Sequence, residues 1–236
     1  MKYFILLAFA AIIAGSCFAQ KSISDPNAVT RKVTSFHAIE ISDGIDLYLT
    51  QGNAEAVAVS AAKDEVRERI ITEVDNGVLK IYFDQKLFNM EWGNRKMKAY
   101  VSFKTLDKLK ASGGSDINVE GSINRGKLIM NFSGGSDFHG KVSSSDLQIE
   151  ASGGSDVYVS GTASTFRLHA SGGSDFHGYD LVTDNCNLKA SGGSDINITV
   201  NKELNVEASG GSDVHYKGNA VIKSMSGSDS SVKKAG

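Results

Sequence analysis

A five-residue phrase, Ser-Gly-Gly-Ser-Asp, occurs six times in this chain and ends at Asp116, Asp137, Asp156, Asp175, Asp195 and Asp213. A weaker copy, Ser226-Gly227-Ser228-Asp229, follows. An identical turn recurring every roughly 20 residues marks a repeat protein in which each unit contacts only its neighbours.

Aligning the copies on their aspartates locates the core. Nine, seven and five residues before the Asp stand Leu147, Ile149 and Ala151; then Phe166, Leu168 and Ala170; Cys186, Leu188 and Ala190; and Leu204, Val206 and Ala208. Period-two alternation puts these on one face, with Gln148, Glu150, Arg167 and Glu207 on the other. One and three residues after the Asp come Ile117/Val119, Phe138/Gly140, Val157/Val159, Phe176/Gly178, Ile196/Ile198 and Val214/Tyr216. Where the first position enlarges to Phe the second shrinks to Gly, which is volume compensation within one shared interior.

Each unit therefore reads as strand, Gly-Gly turn, strand and a variable return. In a solenoid, equivalent residues of successive coils stack about 4.8 Å apart, so a turn that works once works at every level. An antiparallel meander or barrel gives no reason for six near-identical turns. Coils of this length that lack a hexapeptide sub-repeat point away from the left-handed type. The expectation is an all-β, right-handed parallel β-helix (solenoid), with repeats from about residue 105.

Upstream, alternation begins at Phe36 and runs through Ile39, Ile41, Ile45, Leu47 and Leu49. A short helical stretch over 64–71 precedes a hairpin turned by Asp75-Asn76-Gly77. This N-terminal strand and hairpin region is expected to cover or extend one end of the solenoid. Residues 84–96 break the pattern and carry Phe88, Met90 and Trp92; residues 221–236 form a C-terminal tail, in which 224–236 lose apolar content and are expected to fray.

Residues 1–19 carry Lys2, an apolar run and then small residues, the pattern of a secretory signal peptide cleaved before Gln20. Residues 20–35 read as a polar leader. Cys17 following Ala14-Gly15-Ser16 allows a second reading as a lipidated terminus, although Ala14 stands where a larger aliphatic residue is usual. Export to the periplasm, cell surface or medium follows from either reading. Beyond this run no stretch approaches the ~20 apolar residues of a membrane span.

Removing the signal leaves 24 basic against 27 acidic residues, a net charge of −3. That balance offers nucleic acid and anionic lipid no electrostatic attraction. Only Cys186 survives cleavage, so disulfides cannot staple the fold, and its place in the apolar alternation makes it a small core hydrophobe.

The stretches Phe36-His37-Ala38-Ile39-Glu40-Ile41, Gly44-Ile45-Asp46-Leu47-Tyr48-Leu49-Thr50-Gln51-Gly52 and Asn76-Gly77-Val78-Leu79-Lys80-Ile81, with the serial Ser-Gly-Gly-Ser-Asp turns, resemble the bacterial family called putative auto-transporter adhesin, head GIN domain. The resemblance covers about residues 36–218, within a domain placed at 36–220. It implies an exported β-helix protein and supplies no catalytic residues.

Three features are candidates for chemistry. The aspartates Asp116, Asp137, Asp156, Asp175, Asp195 and Asp213 would stack as a ladder, at a spacing near the ~5–5.5 Å of a retaining glycosidase pair. A catalytic pair needs one acid tuned apart from the other, and these six sites look alike. The simpler role is that Ser and Asp side chains satisfy backbone N–H groups of a turn built on positive φ. Stacked carboxylates repel by about 0.8 kcal/mol per neighbouring pair at ~5 Å in water. Weak calcium binding would relieve that repulsion, and no other cofactor is implied.

Two residues after each Asp comes a second, outward ladder of Asn118, His139, Tyr158, His177, Asn197 and His215. Its histidines occupy alternate coils, roughly 10 Å apart, too far to share one zinc ion at bonds of about 2.0–2.1 Å. These side chains suit hydrogen bonding and stacking on a glycan or another protein. Trp92 in the irregular loop is either a binding anchor or part of a cap over the first coil. The leading functional expectation is a non-enzymatic adhesin or recognition module at the cell envelope. The alternatives are a polysaccharide-active enzyme, drawing acids from the ladder or from Asp84 and Glu91, and a structural envelope protein.

Overall fold

A computed structural model describes residues 25–85 and 95–236. It is nearly all β, with 63% strand and 2% helix, wound as a solenoid of about 7 turns with ~19-residue coils. The predicted signal peptide, Cys17, Phe88, Met90, Glu91 and Trp92 lie outside the described residues.

The elements run β1 (Val29–Arg31), β2 (Ala38–Ile41), β3 (Asp46–Gln51), β4 (Ala56–Ser60), α1 (Asp64–Arg67), β5 (Ile70–Asp75), β6 (Val78–Phe83), β7 (Lys98–Phe103), β8 (Lys108–Ala111) and β9 (Ile117–Glu120). The regular coils follow as β10 (Ile123–Ser133), β11 (Phe138–Ser152), β12 (Val157–Ala170), β13 (Phe176–Ala190), β14 (Asp195–Ala208), β15 (Asp213–Lys217), β16 (Val221–Ser226) and β17 (Ser231–Lys234). From β10 onward each coil pairs in parallel with the next, in the register the aspartate alignment gives: Leu147 lies beside Phe166, and Phe166 beside Cys186.

The alternation becomes the core directly. Leu147, Ile149 and Ala151 are buried, as are their counterparts in the next three coils. The Phe/Gly compensation is steric: a Cβ on Gly140 would lie 2.7 Å from Phe138 Cζ and 2.7 Å from Val119 Cγ2, and one on Gly178 would lie 2.3 Å from Phe176 Cε1. Both contacts are far inside van der Waals distance, so those coils hold one large ring or a side chain at the second position, not both.

At the N-terminal end the layers do not follow chain order. Strands β2 and β3 are sandwiched, with β6 and β7 on one side and β8 and β9 on the other. The outermost layer is then covered by antiparallel strands, β5 on β6 and β4 on β7, with β1 on β4. Antiparallel cover differs in geometry from another parallel coil and so ends the stack. The β5–β6 hairpin turns through Asn76 and Gly77, both at positive φ (49° and 77°), as the sequence leads one to expect.

The other end corrects an expectation. Residues 221–236 do not simply fray: β16 pairs with β14 and β17 with β15, adding a further partial coil. Its apolar residues are few because it lies at an end, and Ile222 and Val232 still pack against the core.

Candidate functional site

The repeated turn is set by its glycines. In the copy at 152–156, Gly153 and Gly154 take φ of 67° and 76°. A Cβ on Gly153 would press to 3.1 Å from the backbone N of Gly134 in the neighbouring coil, whereas one on Gly154 meets nothing within 4 Å. The first glycine thus serves stacking as well as conformation; the second serves conformation alone.

The second serine of every copy is wholly buried. Ser155 Oγ donates to Ser152 O (3.0 Å) and accepts from the N–H of Ser136 (3.2 Å), and Ser174 Oγ accepts from the N–H of Ser155 (3.1 Å). The aspartates do similar work at the rim: Asp137 Oδ1 accepts from the N–H of Asp156 (3.1 Å) and Asp175 Oδ1 from that of Asp195 (3.3 Å). The turn phrase is a device for satisfying backbone donors at a stacked corner.

The ladder has a rung that the literal phrase hides. Ser42-Asp43-Gly44-Ile45-Asp46 stacks on the first copy, with Leu47 beside Ile117 and Ile45 N–H donating to Ser115 Oγ (3.2 Å). Asp43 and Gly44 take the two positive φ values (66° and 70°). Asp46 thereby heads the ladder, and Lys98 sits beside it in the next layer. Partial burial raises the Asp46 carboxyl above the usual carboxylate range, and the Asp116 charge adds to the rise. Asp116 is raised in the same way, by burial first and then by Asp137. Among the described residues none of the seven ladder carboxylates is in a salt bridge, and no group of three or more His, Cys, Asp or Glu gathers to hold a metal.

The second ladder forms a continuous outward row. Tyr48 and Tyr100 stack at one end (5.2 Å between centroids), and Asn118, His139, Tyr158, His177, Asn197 and His215 follow in register. His139 stacks on Tyr158 at 4.6 Å and 9°, and Tyr158 on His177 at 4.3 Å and 11°. One expectation changes here: the central ring faces lie against one another, so a ligand meets ring edges, the imidazole nitrogens and the phenol hydroxyl. The Tyr158 ring also fills the space between the two histidines.

This row floors an open groove of about 580 Å³ that spans five coils from Asn118 to Asn197, with Lys141, Ser160, Tyr179 and Asp180 on its margin. His215 continues the row but lies outside that lining. The margin contains an irregularity absent from the preceding coils. The β12–β13 register slips between Tyr158/His177 and Gly161/Leu181, and the β13–β14 register slips between Gly178 and Val182, so Tyr179 and Asp180 form a bulge. Thr199 Oγ1 donates to Tyr179 O (2.8 Å), and Thr183 Oγ1 donates to Thr199 O (2.9 Å), which braces the bulge. Lys217 Nζ lies 4.3 Å from the Tyr179 ring centroid, and Asp180 is exposed. Sequence reading missed Tyr179, Asp180 and Lys141. The trace the bulge leaves is an uneven repeat: the interval from Asp175 to Asp195 is one longer than the interval before it, and the interval from Asp195 to Asp213 is two shorter again.

A second outward face carries a smaller groove of about 370 Å³, and much of its lining is already paired within the protein. Asn205 Nδ2 donates to Asn187 Oδ1 (2.9 Å), Ser224 Oγ donates to Asn205 Oδ1 (2.9 Å), Lys189 pairs with Glu207 (2.7 Å), and Arg167 pairs with Asp146. Cys186 is buried in the core, and burial pushes its thiol up to about 12, so it is no nucleophile. Of the further acids considered, Asp84 lies at the end of β6, its N–H donating to Arg69 O (3.0 Å), and Glu91 is outside the described residues, as is Trp92. Among the described residues no helix is long and apolar enough to cross a membrane.

Solved structures share this architecture. A putative adhesin from Bacteroides fragilis superposes with a TM-score of 0.82 over 89% of this chain and 98% of its own, at 22% identity. A putative lipid binding protein from Parabacteroides distasonis gives 0.68 over 90% and 98% at 18% identity, and a putative adhesin from Parabacteroides merdae 0.68 over 89% and 95% at 15%. Identities this low establish the fold alone. No curated protein matches the sequence. The family described as putative auto-transporter adhesin, head GIN domain, matches residues 35–220, and with the turns, register and solenoid now described the chain belongs to that family.

Proposed function

We propose that this protein is an exported, non-enzymatic recognition module of the bacterial cell envelope that binds an extended surface polymer through one face of its solenoid. The observation that carries the reading is the open groove over the His139–Tyr158–His177 stack. It is long, shallow and lined with hydrogen-bonding side-chain edges at one per coil, which suits holding a polymer. Beside it, Asp137 and Asp175 each accept a backbone N–H of the next turn, so these carboxylates are engaged in holding the stacked corner. Membership of an adhesin-named family and the signal-like segment at residues 1–19 support the surface role. A glycan array followed by chain-length analysis of the bound material tests it. Retention of intact glycan, lost in Tyr158→Ala, is the expected result; shortened products would establish turnover and overturn the non-enzymatic reading.

A further inference from the structure

In a perfect repeat every rung of a groove looks the same, so a ligand held only by ring edges can slip by one rung, ~4.8 Å, without losing contacts. The Tyr179–Asp180 bulge ends that equivalence. It is the place along the groove where two neighbouring registers slip, and bulges of this kind re-aim side chains at functional positions. Two buried or half-buried threonines hold its backbone, so it is a fixed lip. Lys217 covers one part of the Tyr179 ring, leaving the exposed Asp180 carboxylate as the charged acceptor the bulge contributes to the rim.

We propose, building on the recognition reading above, that the groove takes an uncharged glycan chain lying along the solenoid axis, and that the Tyr179–Asp180 bulge is the specificity-determining feature that fixes its register. Three observations carry this. Strands β11 to β14 are paired on both sides, so their backbones offer a peptide no edge for strand addition, and a ligand meets side chains alone. Those side chains are Asn118, His139, Tyr158, His177 and Asn197, each able to donate and accept. Sugar hydroxyls also do both, and an equatorially linked pyranose chain advances by about one rung per sugar. Finally, Asp137, Asp156 and Asp175 stand two residues before His139, Tyr158 and His177, on the same outward side by alternation and with no salt-bridge partner among the described residues, and with Asp180 on the margin they outnumber the two lysines at the groove, Lys141 and Lys217. A polyanion entering between them is repelled.

The test is calorimetric titration of the full chain with β-1,4-linked hexasaccharides of glucose, mannose and N-acetylglucosamine, and with hexagalacturonate, at low salt. Asp180→Asn, Tyr158→Ala and the opposite-face control Lys189→Ala are compared, each with its melting temperature. At least one uncharged hexasaccharide binds, Lys189→Ala leaves it unchanged, and Tyr158→Ala abolishes it. Asp180→Asn, which loses a charge-assisted hydrogen bond, weakens it roughly 10- to 100-fold without moving the melt. Binding unaffected by Asp180→Asn overturns the role of the bulge and leaves the groove reading standing. Tighter binding of hexagalacturonate, lost in Tyr158→Ala, overturns the selection against polyanions alone. Failure of all four sugars to bind overturns both this inference and the glycan form of the groove reading.

Discussion

Replacing Asp116 with Asn perturbs the carboxylate ladder at a rung with acidic neighbours on both sides, Asp46 and Asp137. The substitution keeps the shape and leaves the Asp116 carbonyl free to accept the N–H of Leu47 (2.7 Å), so it removes charge and little else. Two like charges at the ~5 Å rung spacing repel by about 0.8 kcal/mol in water. Two neighbours make about 1.6 kcal/mol at low ionic strength, and the exposure of the site lets ~0.15 M salt remove about half of that. A chain of this size gains ~2–4 °C per kcal/mol. The variant is therefore expected to melt higher than the wild type at neutral pH, with the gain shrinking as salt is added. The pH dependence has a fixed sign. Asp116 and Asp46 hold their protons more tightly folded than unfolded, so their contribution to stability is full below the ordinary carboxylate value of about 3.9 and is lost as pH rises through the raised folded values. Asp116→Asn removes one of these losses, and its advantage should vanish toward pH 3. Differential scanning calorimetry across pH and salt checks this; a variant that melts lower at neutral pH and low salt, or whose gain ignores salt, refutes the reasoning.

Gly140→Ala should cost about 1–3 kcal/mol by overpacking against Phe138 and Val119. Adding Phe138→Val should recover part of the loss, because it removes the ring atom that the new Cβ meets while Val119 stays in place, and chemical denaturation of the double-mutant cycle measures the recovery. In the turn, Gly154→Asn should be tolerated, since Asn accepts positive φ and the site is open, whereas Gly153→Asn should destabilise by meeting the backbone of Gly134. Thermal melts of the two variants give the ranking. Cys186 should resist thiol reagents in the native protein and react once unfolded, as a buried thiol raised to about 12 requires; native-state labelling at neutral pH would contradict the burial.

What is legible in the sequence follows from the physics of repetition. Stacking imposes one register on all coils, so the alternation around Leu147, Phe166, Cys186 and Leu204 reads as core before any coordinates exist, and the Phe/Gly exchange reads as a shared volume. Where the chain departs from repetition the signal weakens. The layer formed by β2 and β3 is hidden because its neighbours in space, β6 to β9, come much later in the chain, and because Asp43 and Ile45 replace a Gly and a Ser in its turn. Asp46 escapes notice as a rung for the same reason. The outward direction of the second ladder follows from alternation, but ring orientation depends on side-chain packing that alternation does not encode, so it presents edges where stacking faces are expected. The bulge at Tyr179 and Asp180 shows only as an uneven interval. Falling apolar content makes the tail look frayed, yet backbone pairing to β14 and β15 continues without it.

The groove over His139, Tyr158 and His177 is the proposed meeting place of this protein and its polymer. The most direct measurement is a binding isotherm of the full chain on purified native envelope polysaccharide, run in parallel with Tyr158→Ala. Removing that ring forfeits two stacking contacts of about 0.5–1.5 kcal/mol each, so the variant is first shown to be folded by its melt. Saturable binding by the wild type, lost in the folded variant and leaving the polysaccharide at its original length, is the expected result. Equal binding by both proteins, or shortening of the polysaccharide, would contradict it.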